Sequence, residues 1–405
     1  MGLHVNTPGT SRFGTSFGFT PRNFGSTASA HLDLIRGLAA WAVMWGHLRA
    51  LFFVDFPQIQ NPSLFLKAVY FLTGFGNEAV FVFFVLSGFL ISTAIFTRQG
   101  SGNWSWRDYA IDRSSRLYVV LIPGLLFGLL WDKLGGSVFA STGIYSQPLE
   151  SFGSAIVQAR LGIGTFLGNL FFLQTIACPT FGSNGPLWSL ANEFWYYVLF
   201  PLALAAGIAW KLRSWRRAIP LTILTACVAA FLGRPILAGF LIWLAGTALV
   251  IAYSKCPLPS KSRSALYFLF AVLVLSMCLT AARTGRLSLL GSNLAVGIAF
   301  ALFLFGVLHM DFGNESRTYG RVAAELAGFS YSLYVLHFPL LLFLRAWIVP
   351  EQRWQPDPTN LGRGVLIGVA TLGFAWLVAK FTEGKTRVAR RWMRKTMPVL
   401  DGRAD

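Results

Sequence analysis

Long apolar segments recur along most of the chain, and they constrain its fold more than any other feature. The hydrocarbon core of a bilayer is about 30 Å thick, so a helix needs about 18 or more mostly apolar residues to cross it. About ten such segments can be delimited, at residues 32–53, 78–97, 117–134, 187–209, 218–233, 236–253, 265–282, 288–308, 323–348 and 363–382. The sequence therefore predicts an all-α membrane protein, a bundle of about ten transmembrane helices.

Composition and charge agree with this prediction. Hydrophobic residues make up 55% of the chain and charged residues 12%, whereas soluble domains carry roughly 25% charged residues. The net charge is +18, but the basic residues concentrate in short loops and at the chain ends. This pattern indicates membrane topology and contact with anionic lipids, not nucleic-acid binding. We expect both termini in the cytoplasm and the protein in the inner membrane of a bacterium.

The chain divides into one membrane domain and two tails. Residues 1–30 are rich in Gly, Ser and Thr and lack an apolar core, which predicts a disordered cytoplasmic tail and not a signal peptide. Residues 31–383 form the membrane domain, and 384–405 a basic cytoplasmic tail. Segment 161–176 is a rival span, but counting it would place the basic residues 211–217 outside. We therefore predict an interfacial or re-entrant segment there.

The first predicted span, "LDLIRGLAAWAVMWGHLRALFF", contains Arg36 and His47. Eleven positions separate them, so both project from one helix face, about 16 Å apart along the axis. An arginine in the middle of a membrane helix costs about 2.5–3.5 kcal/mol and usually faces a cavity or a partner. Two explanations remain open. Both side chains face a water-filled tunnel, or Arg36 extends to lipid phosphates and His47 makes a bond between helices.

Two further motifs carry ionisable side chains. In "RDYAIDRSSRLYVVLIP", Arg113 and Arg116 share a helix face, and paired guanidinium groups suit phosphate oxygens; ordinary positive charge in a cytoplasmic loop is the alternative. In "GPLWSLANEFWYYVLFP", Glu193 lies within a span at a depth similar to that of His47. An ionisable group there is a candidate functional residue. A carboxylate that met the imidazole would orient it as a general base.

Two aromatic motifs allow both structural and functional interpretations. In "GNEAVFVFFVLSGFLIS", the small pair Ser87-Gly88 favours close packing of helices. In "FSYSLYVLHFPLLLFL", His337 lies near the middle of a span, before Pro339, which we expect to bend the helix. A pocket role and a packing role are equally open for His337. The four cysteines lack metal-ligand spacing, so we expect no metal site.

Taken together over residues 31–383, these motifs resemble acyltransferase family 3, integral-membrane acyltransferases that modify cell-envelope glycans. The elements that carry the resemblance are Arg36 with ten residues before His47, "FFVLSGFLI", Arg113-x-x-Arg116, "WSLANEFWYY" and "SYSLYVLHFP". The chain departs from the family pattern at Phe81, where an acidic residue is frequent, and in "RLYVV", which lacks a proline. These departures bear on acceptor specificity and loop shape more than on the chemistry.

The resemblance implies an acyl-CoA donor, most often acetyl-CoA, that arrives from the cytoplasm, and no permanently bound cofactor. The acceptor would be a hydroxyl of an extracytoplasmic saccharide or glycolipid. It implies that Arg36 and His47 are catalytic, that Arg113 and Arg116 bind the donor, and that Glu193 is the acidic residue of the WSL motif. Our hypothesis is that His47 is the general base, supported by Glu193, and that Arg36 guides the donor.

Five more side chains in these motifs are expected to contact substrate: Ser87, Trp188, Ser189, Tyr331 and His337. Expected partners are membrane lipids and proteins of envelope-glycan synthesis. The alternative function is a transporter or flippase for a lipid-linked saccharide, which intramembrane charges also suit. The absence of an inverted repeat and the basic loops on a single side argue against it. The acyltransferase hypothesis requires Arg36 and His47 to face one hydrated tunnel open to both compartments.

Overall fold

The computed structural model describes residues 19, 21–148, 156–257, 260–285, 288–310 and 317–397. Within these ranges the chain is nearly all helical and forms no strand beyond isolated bridges. The α-helices are α1 (Ser26–Phe52), α2 (Leu64–Leu72), α3 (Gly76–Gly100), α4 (Trp106–Val138), α5 (Ile163–Leu170), α6 (Leu187–Lys211), α7 (Trp215–Lys255), α8 (Lys261–Arg283), α9 (Leu289–His309), α10 (Arg317–Gly328), α11 (Ser330–Ile348), α12 (Pro358–Phe381) and α13 (Thr386–Thr396).

Several of these helices are long and apolar enough to cross a membrane. Among the described residues, eight segments meet this condition: Leu64–Gly100, Trp106–Val138, Leu187–Lys211, Trp215–Lys255, Lys261–Arg283, Leu290–His309, Ser330–Ile348 and Pro358–Thr396. The prediction of an all-α, multi-pass membrane protein is confirmed at this level. The eight segments do not include α1, because Arg36, His47 and Arg49 lower its hydropathy, and they do not confirm the count of about ten.

One predicted boundary agrees with the structure, and one predicted span differs from it. The spans predicted at 218–233 and 236–253 match two helical arms that meet at a kink at Gly233, and we number the two arms together as α7. Gly233 has a φ of 72°, a conformation that glycine adopts without the strain of a side chain. The span predicted at 323–348 is instead two helices, α10 and α11, because the backbone leaves the helical region at Phe329.

The segments outside the main spans also differ in length from the prediction. Helix α5 has eight residues, so it is about 12 Å long and too short to cross a bilayer. This length agrees with the prediction that segment 161–176 is not a span. Helix α1 begins at Ser26, inside the tail predicted for residues 1–30. Part of the predicted C-terminal tail is helical, because α13 packs against α4. The remaining tail residues, 1–18, 20 and 398–405, lie outside the described residues.

Close packing of α3 against α7 depends on two glycines. A Cβ atom on Gly88 would lie 2.0 Å from the carbonyl oxygen of Trp243, and one on Gly246 would lie 2.1 Å from that of Val85. No side chain fits at either position, which confirms the packing interpretation of the Ser87-Gly88 pair. On the other side, α1 packs against α3, α10 and α11, and α11 packs against α4. This arrangement brings the motif-bearing helices together inside the bundle.

Candidate active site

Two cavities within the bundle contain His47 and the three motif arginines. The histidine cavity, about 340 Å³, is lined by His47 and Trp188 together with the loop at residues 182–186. The arginine cavity, about 50 Å³, is lined by Arg36, Arg113 and Arg116. Arg36 and His47 thus both face the interior of the bundle, as their spacing predicts, but they open into different cavities.

A third, middle cavity of only about 20 Å³ lies between the other two. Tyr334 lines both the histidine cavity and the middle cavity. Phe83 and Tyr331 line both the middle cavity and the arginine cavity. The ring of Phe83 lies 6.3 Å from that of Tyr331 and 5.8 Å from that of Tyr334. We call these three aromatic residues the constriction. The structure therefore differs from the predicted open tunnel, because the constriction separates the two larger cavities.

His47 and His337 form a hydrogen-bonded pair at the histidine cavity. The Nδ1 atom of His47 lies 2.7 Å from Nε2 of His337, and the two rings are stacked with an interplanar angle of 12°. The Nδ1 atom of His337 lies 2.9 Å from the carbonyl oxygen of Leu333. A carbonyl oxygen only accepts, so His337 Nδ1 is the donor of that bond.

These two bonds determine which nitrogen of His47 carries the proton. His337 is fully buried, an environment that favours a neutral imidazole. With its proton on Nδ1, a neutral His337 accepts at Nε2, and His47 must then donate from Nδ1. The lone pair of His47 consequently lies on Nε2. The carbonyl of Leu333 and the ring of His337 thus fix His47 in one tautomer, as orienting groups do for catalytic histidines.

The arginine cavity concentrates positive charge. Arg36 forms an ion pair with Asp33 at 3.0 Å, and the guanidinium of Arg116 lies over the ring of Tyr331, 4.9 Å from its centroid. The Nε atoms of Arg36 and Arg113 are buried, and the described residues offer neither of them a hydrogen-bond partner. Buried guanidinium donors without partners are costly, so this cavity suits an anionic group with several oxygens.

Glu193 lies at the middle cavity and not beside His47. Its carboxylate accepts hydrogen bonds from the hydroxyls of Tyr197 at 2.5 Å and Tyr331 at 3.1 Å. The predicted support of His47 by Glu193 therefore differs from the described bonds, in which His337 occupies that role. The two side chains do not meet because the constriction residue Tyr334, which lines both cavities, lies between them.

The other predicted contact residues also lie along these cavities. Ser87 lines the arginine cavity and donates to the hydroxyl of Tyr197 at 3.1 Å. The hydroxyl of Ser189, at the middle cavity, lies 2.6 Å from that of Tyr334. Trp188 lines the histidine cavity. The structure thus brings every predicted site residue to one of the three cavities or into contact with a residue that lines one.

Sequence reasoning missed several residues of the site. Tyr197 follows Glu193 by one helical turn, and Tyr334 follows Tyr331 by three positions, so helical spacing could have indicated both. Phe83 has no such signal, because it stands in a run of similar aromatic residues.

A buried carboxylate that the sequence did not indicate holds one wall of the histidine cavity. Asp132 of α4, 1% exposed, accepts hydrogen bonds from the backbone nitrogen and the hydroxyl of Ser183 at 2.7 and 2.6 Å. The side-chain amide of Asn184 donates to the carbonyl of Val335 at 2.8 Å. These bonds fix the loop at 182–186 to α4 and α11. The pairs lie far apart in the sequence, so no local pattern predicts them.

Comparison with known proteins identifies the family. The model of acyltransferase family 3, described as an acyltransferase domain, matches residues 29–380. The chain is 24% identical over 299 residues to "Putative peptidoglycan O-acetyltransferase YrhL" of Bacillus subtilis (strain 168), covering 66% of this chain and 44% of that protein. It is 31% identical over 171 residues to "Acyltransferase MdmB" of Streptomyces mycarofaciens, covering 42% of this chain and 37% of that protein.

The chain thus spans less than half the length of each of these curated relatives. No solved structure matches the chain. The family model nevertheless covers α1 to α12 almost completely, including every residue of the three cavities named above. This chain belongs to acyltransferase family 3.

Proposed function

We propose that the protein transfers an acyl group, by default acetyl, from acyl-CoA to a hydroxyl of an extracytoplasmic saccharide or glycolipid. The observation that carries this proposal is the placement of two chemistries at two levels along α1, about 16 Å apart on the helix axis. Arg36 of α1 joins Arg113 and Arg116 of α4 in a cluster of three guanidinium groups, and a tautomer-fixed imidazole lies near the end of α1. The name of the Bacillus subtilis relative supports acetyl as the acyl group and an envelope glycan as the acceptor.

In the proposed reaction, the arginine cavity binds the phosphates of acyl-CoA at the cytoplasmic face. The pantetheine arm extends past the constriction toward His47, across the axial distance of about 16 Å that separates Arg36 from His47. Nε2 of His47 removes the proton of the acceptor hydroxyl, and the oxygen attacks the thioester carbonyl. The carbon–sulfur bond then breaks, and the proton passes from the imidazolium to the leaving thiolate.

His337 would stabilise the charged intermediate state of His47. The Nε2 atom of His337 lies 2.7 Å from Nδ1 of His47 and accepts its proton in the tautomer deduced above. A hydrogen bond from an ionised donor is roughly twice as strong as one between neutral groups. Glu193 would act at a distance from the imidazole, by holding the hydroxyls of Tyr197 and Tyr331 beside the path of the donor.

The proposed reaction requires a defined topology. If α1 crosses the membrane and the two arms of α7 are counted separately, the eight apolar segments become about ten spans. Both termini then lie in the cytoplasm, with the basic helix α13 at the same face as the arginine cavity. We place the protein in the bacterial inner membrane on these grounds.

The roles of Arg36 and His47 are tested by substitution in the purified protein. We expect His47→Ala to lower acyl transfer by about 10²–10⁴-fold, the usual contribution of a general base, and Arg36→Gln to lower it as well. Arg263→Gln is the matched control, because Arg263 is an exposed arginine that lines none of the three cavities. Wild-type rates in His47→Ala would refute the mechanism. A wild-type protein that moved a lipid-linked saccharide without releasing CoA would instead be a transporter.

Donor binding is tested separately from the chemistry. The double variant Arg113→Gln/Arg116→Gln should raise the KM for acetyl-CoA by about tenfold or more, because it removes two charge-assisted hydrogen-bond donors. Rates measured at several acetyl-CoA concentrations give KM and kcat independently. An unchanged KM would show that the arginine cavity does not hold the CoA phosphates.

A further inference from the structure

A fourth cavity, about 660 Å³, lies at the end of the bundle where α1 ends. Its walls are the end of α1, the loops at residues 142–148 and 350–355, and Arg345 of α11. We call it the polar cavity. It contacts α1 at Ala50, Leu51 and Val54, which lie about 5–10 Å beyond His47 along the helix axis. Among the described residues the histidine cavity and the polar cavity share no lining residue, but adjacent positions of α1 line them, Arg49 the histidine cavity and Ala50 the polar cavity. A glycan chain that passes the end of α1 would therefore reach both.

Amide side chains dominate the polar groups of this cavity. Four glutamines line it, and all four are exposed: Gln58, Gln147, Gln352 and Gln355. A primary amide offers two donors and an acceptor, so it can bind the hydroxyl groups of a saccharide in either direction. This composition contrasts with the apolar surfaces that surround a lipid chain.

Arg345 adds a buried positive charge to the polar cavity. The residue is only 8% exposed, and its Nε and Nη2 atoms donate to the carbonyl oxygens of Leu51 at 2.9 Å and Glu351 at 3.1 Å. Its Nη1 atom is buried without a hydrogen-bond partner among the described residues. The other arginine of the cavity, Arg353, forms an ion pair with Asp55 at 2.8 Å.

Within the described structure, the hydrogen-bond acceptors of Arg345 are thus neutral carbonyl oxygens only. A buried guanidinium in such a position is costly, and an anion that accepts from the remaining donor would stabilise it. A carboxylate matches the planar geometry of the guanidinium. The exposed side chain of Glu351 also lines the cavity. The buried cation and the four exposed amides therefore fit an acidic sugar whose carboxylate lies at Arg345 and away from Glu351.

We propose that the polar cavity binds a carboxylate-bearing sugar unit of the acceptor glycan, next to the unit that is acylated at His47. The carboxylate contacts Arg345, and the glutamines bind the hydroxyls of the same unit. This proposal rests on the proposed function for the identity of the acceptor as a glycan. It adds that the acceptor is acidic and is recognised beyond the reacting sugar.

Binding can be measured without acyl-CoA, which separates this proposal from the proposed function. The probes are tri-galacturonate and the neutral trisaccharide maltotriose, titrated calorimetrically into the full-length protein in lipid nanodiscs. We expect saturable binding of tri-galacturonate and binding of maltotriose weaker by about tenfold or more. Equal binding of the two probes, or no saturable binding of tri-galacturonate, would overturn the proposal whether or not the protein transfers acyl groups.

Variants localise the binding to the polar cavity. Gln147→Ala/Gln352→Ala removes two exposed side chains and should weaken tri-galacturonate binding by about tenfold. Gln158→Ala is the matched control, because Gln158 is exposed nearby but does not line the cavity. Arg345→Gln should abolish the preference for the acidic probe. If Arg345→Gln fails to fold, the double glutamine variant still tests the location of the site. Wild-type affinity of that double variant for tri-galacturonate would exclude the polar cavity as the binding site.

Discussion

Replacement of His337 tests whether the second histidine sets the tautomer of the first. In His337→Leu, the Nδ1–H group of His47 loses its acceptor in a buried site, which costs about 1–3 kcal/mol. His47 can avoid this cost by moving its proton to Nε2, the nitrogen that must be unprotonated in the proposed reaction. The base-competent tautomer then becomes about 5- to 150-fold rarer, since 1.4 kcal/mol corresponds to a factor of ten.

We therefore expect kcat to fall by about 5- to 150-fold in His337→Leu, with the KM for acetyl-CoA unchanged because the arginine cavity is intact. His337→Gln is the matched variant, since the glutamine carbonyl can still accept from His47, and it should recover most of the loss. The assay follows release of the CoA thiol together with the acylated acceptor. A wild-type kcat in His337→Leu, or a kcat in His337→Gln as low as in His337→Leu, would refute the tautomer argument.

Two further predictions concern stability. Gly88→Ala should destabilise the protein by about 1–3 kcal/mol, because the added Cβ would collide with the carbonyl of Trp243. Gly207→Ala is the control, because a Cβ at that position meets nothing within 4 Å. Its melting temperature should stay near that of the wild type. At the polar cavity, the hydrogen bond from Arg353 lowers the pKa of Asp55 below its ordinary value of 3.8. A depressed pKa stabilises the folded state only while Asp55 is ionised. Asp55→Asn should therefore lower the melting temperature at neutral pH, and the difference should vanish as the pH falls below the pKa of Asp55; a constant difference would contradict this.

The sequence predicts the residues of the site better than their partners. Helical spacing placed Arg36 and His47 on the interior face of α1, and the motifs placed Tyr331 and His337 on α11. The pairing of His47 with His337 joins positions 290 residues apart, and depth in the membrane alone could not distinguish Glu193 from His337 as the partner. The relative rotation and height of α6 and α11 decide this choice, and they follow from packing of the whole bundle.

The helix count shows the same limitation at the level of the fold. Hydropathy identifies apolar length, so it located most spans. The ionisable residues of α1 lower the hydropathy of that helix, which is therefore absent from the eight apolar segments. In α7, by contrast, the two predicted spans match the two helical arms that meet at Gly233. A low hydropathy such as that of α1 is expected where a membrane helix carries ionisable side chains, since these residues are unfavourable for insertion alone.

Separation of the two larger cavities by the constriction has a physical advantage in a membrane. A water-filled path from Arg36 to His47 would let ions cross the membrane, whereas an aromatic constriction without continuous water excludes them. Tyr334 is held by one hydrogen bond with Ser189, worth about 0.5–1.5 kcal/mol. Tyr331 donates to the carboxylate of Glu193, a bond worth about 1.5–3 kcal/mol, and its ring contacts the guanidinium of Arg116. Rotation of these rings is therefore inexpensive compared with the binding energy of a CoA molecule. Because the pantetheine arm would fill the opening that it creates, donor binding itself can open the path for the thioester without opening one for ions.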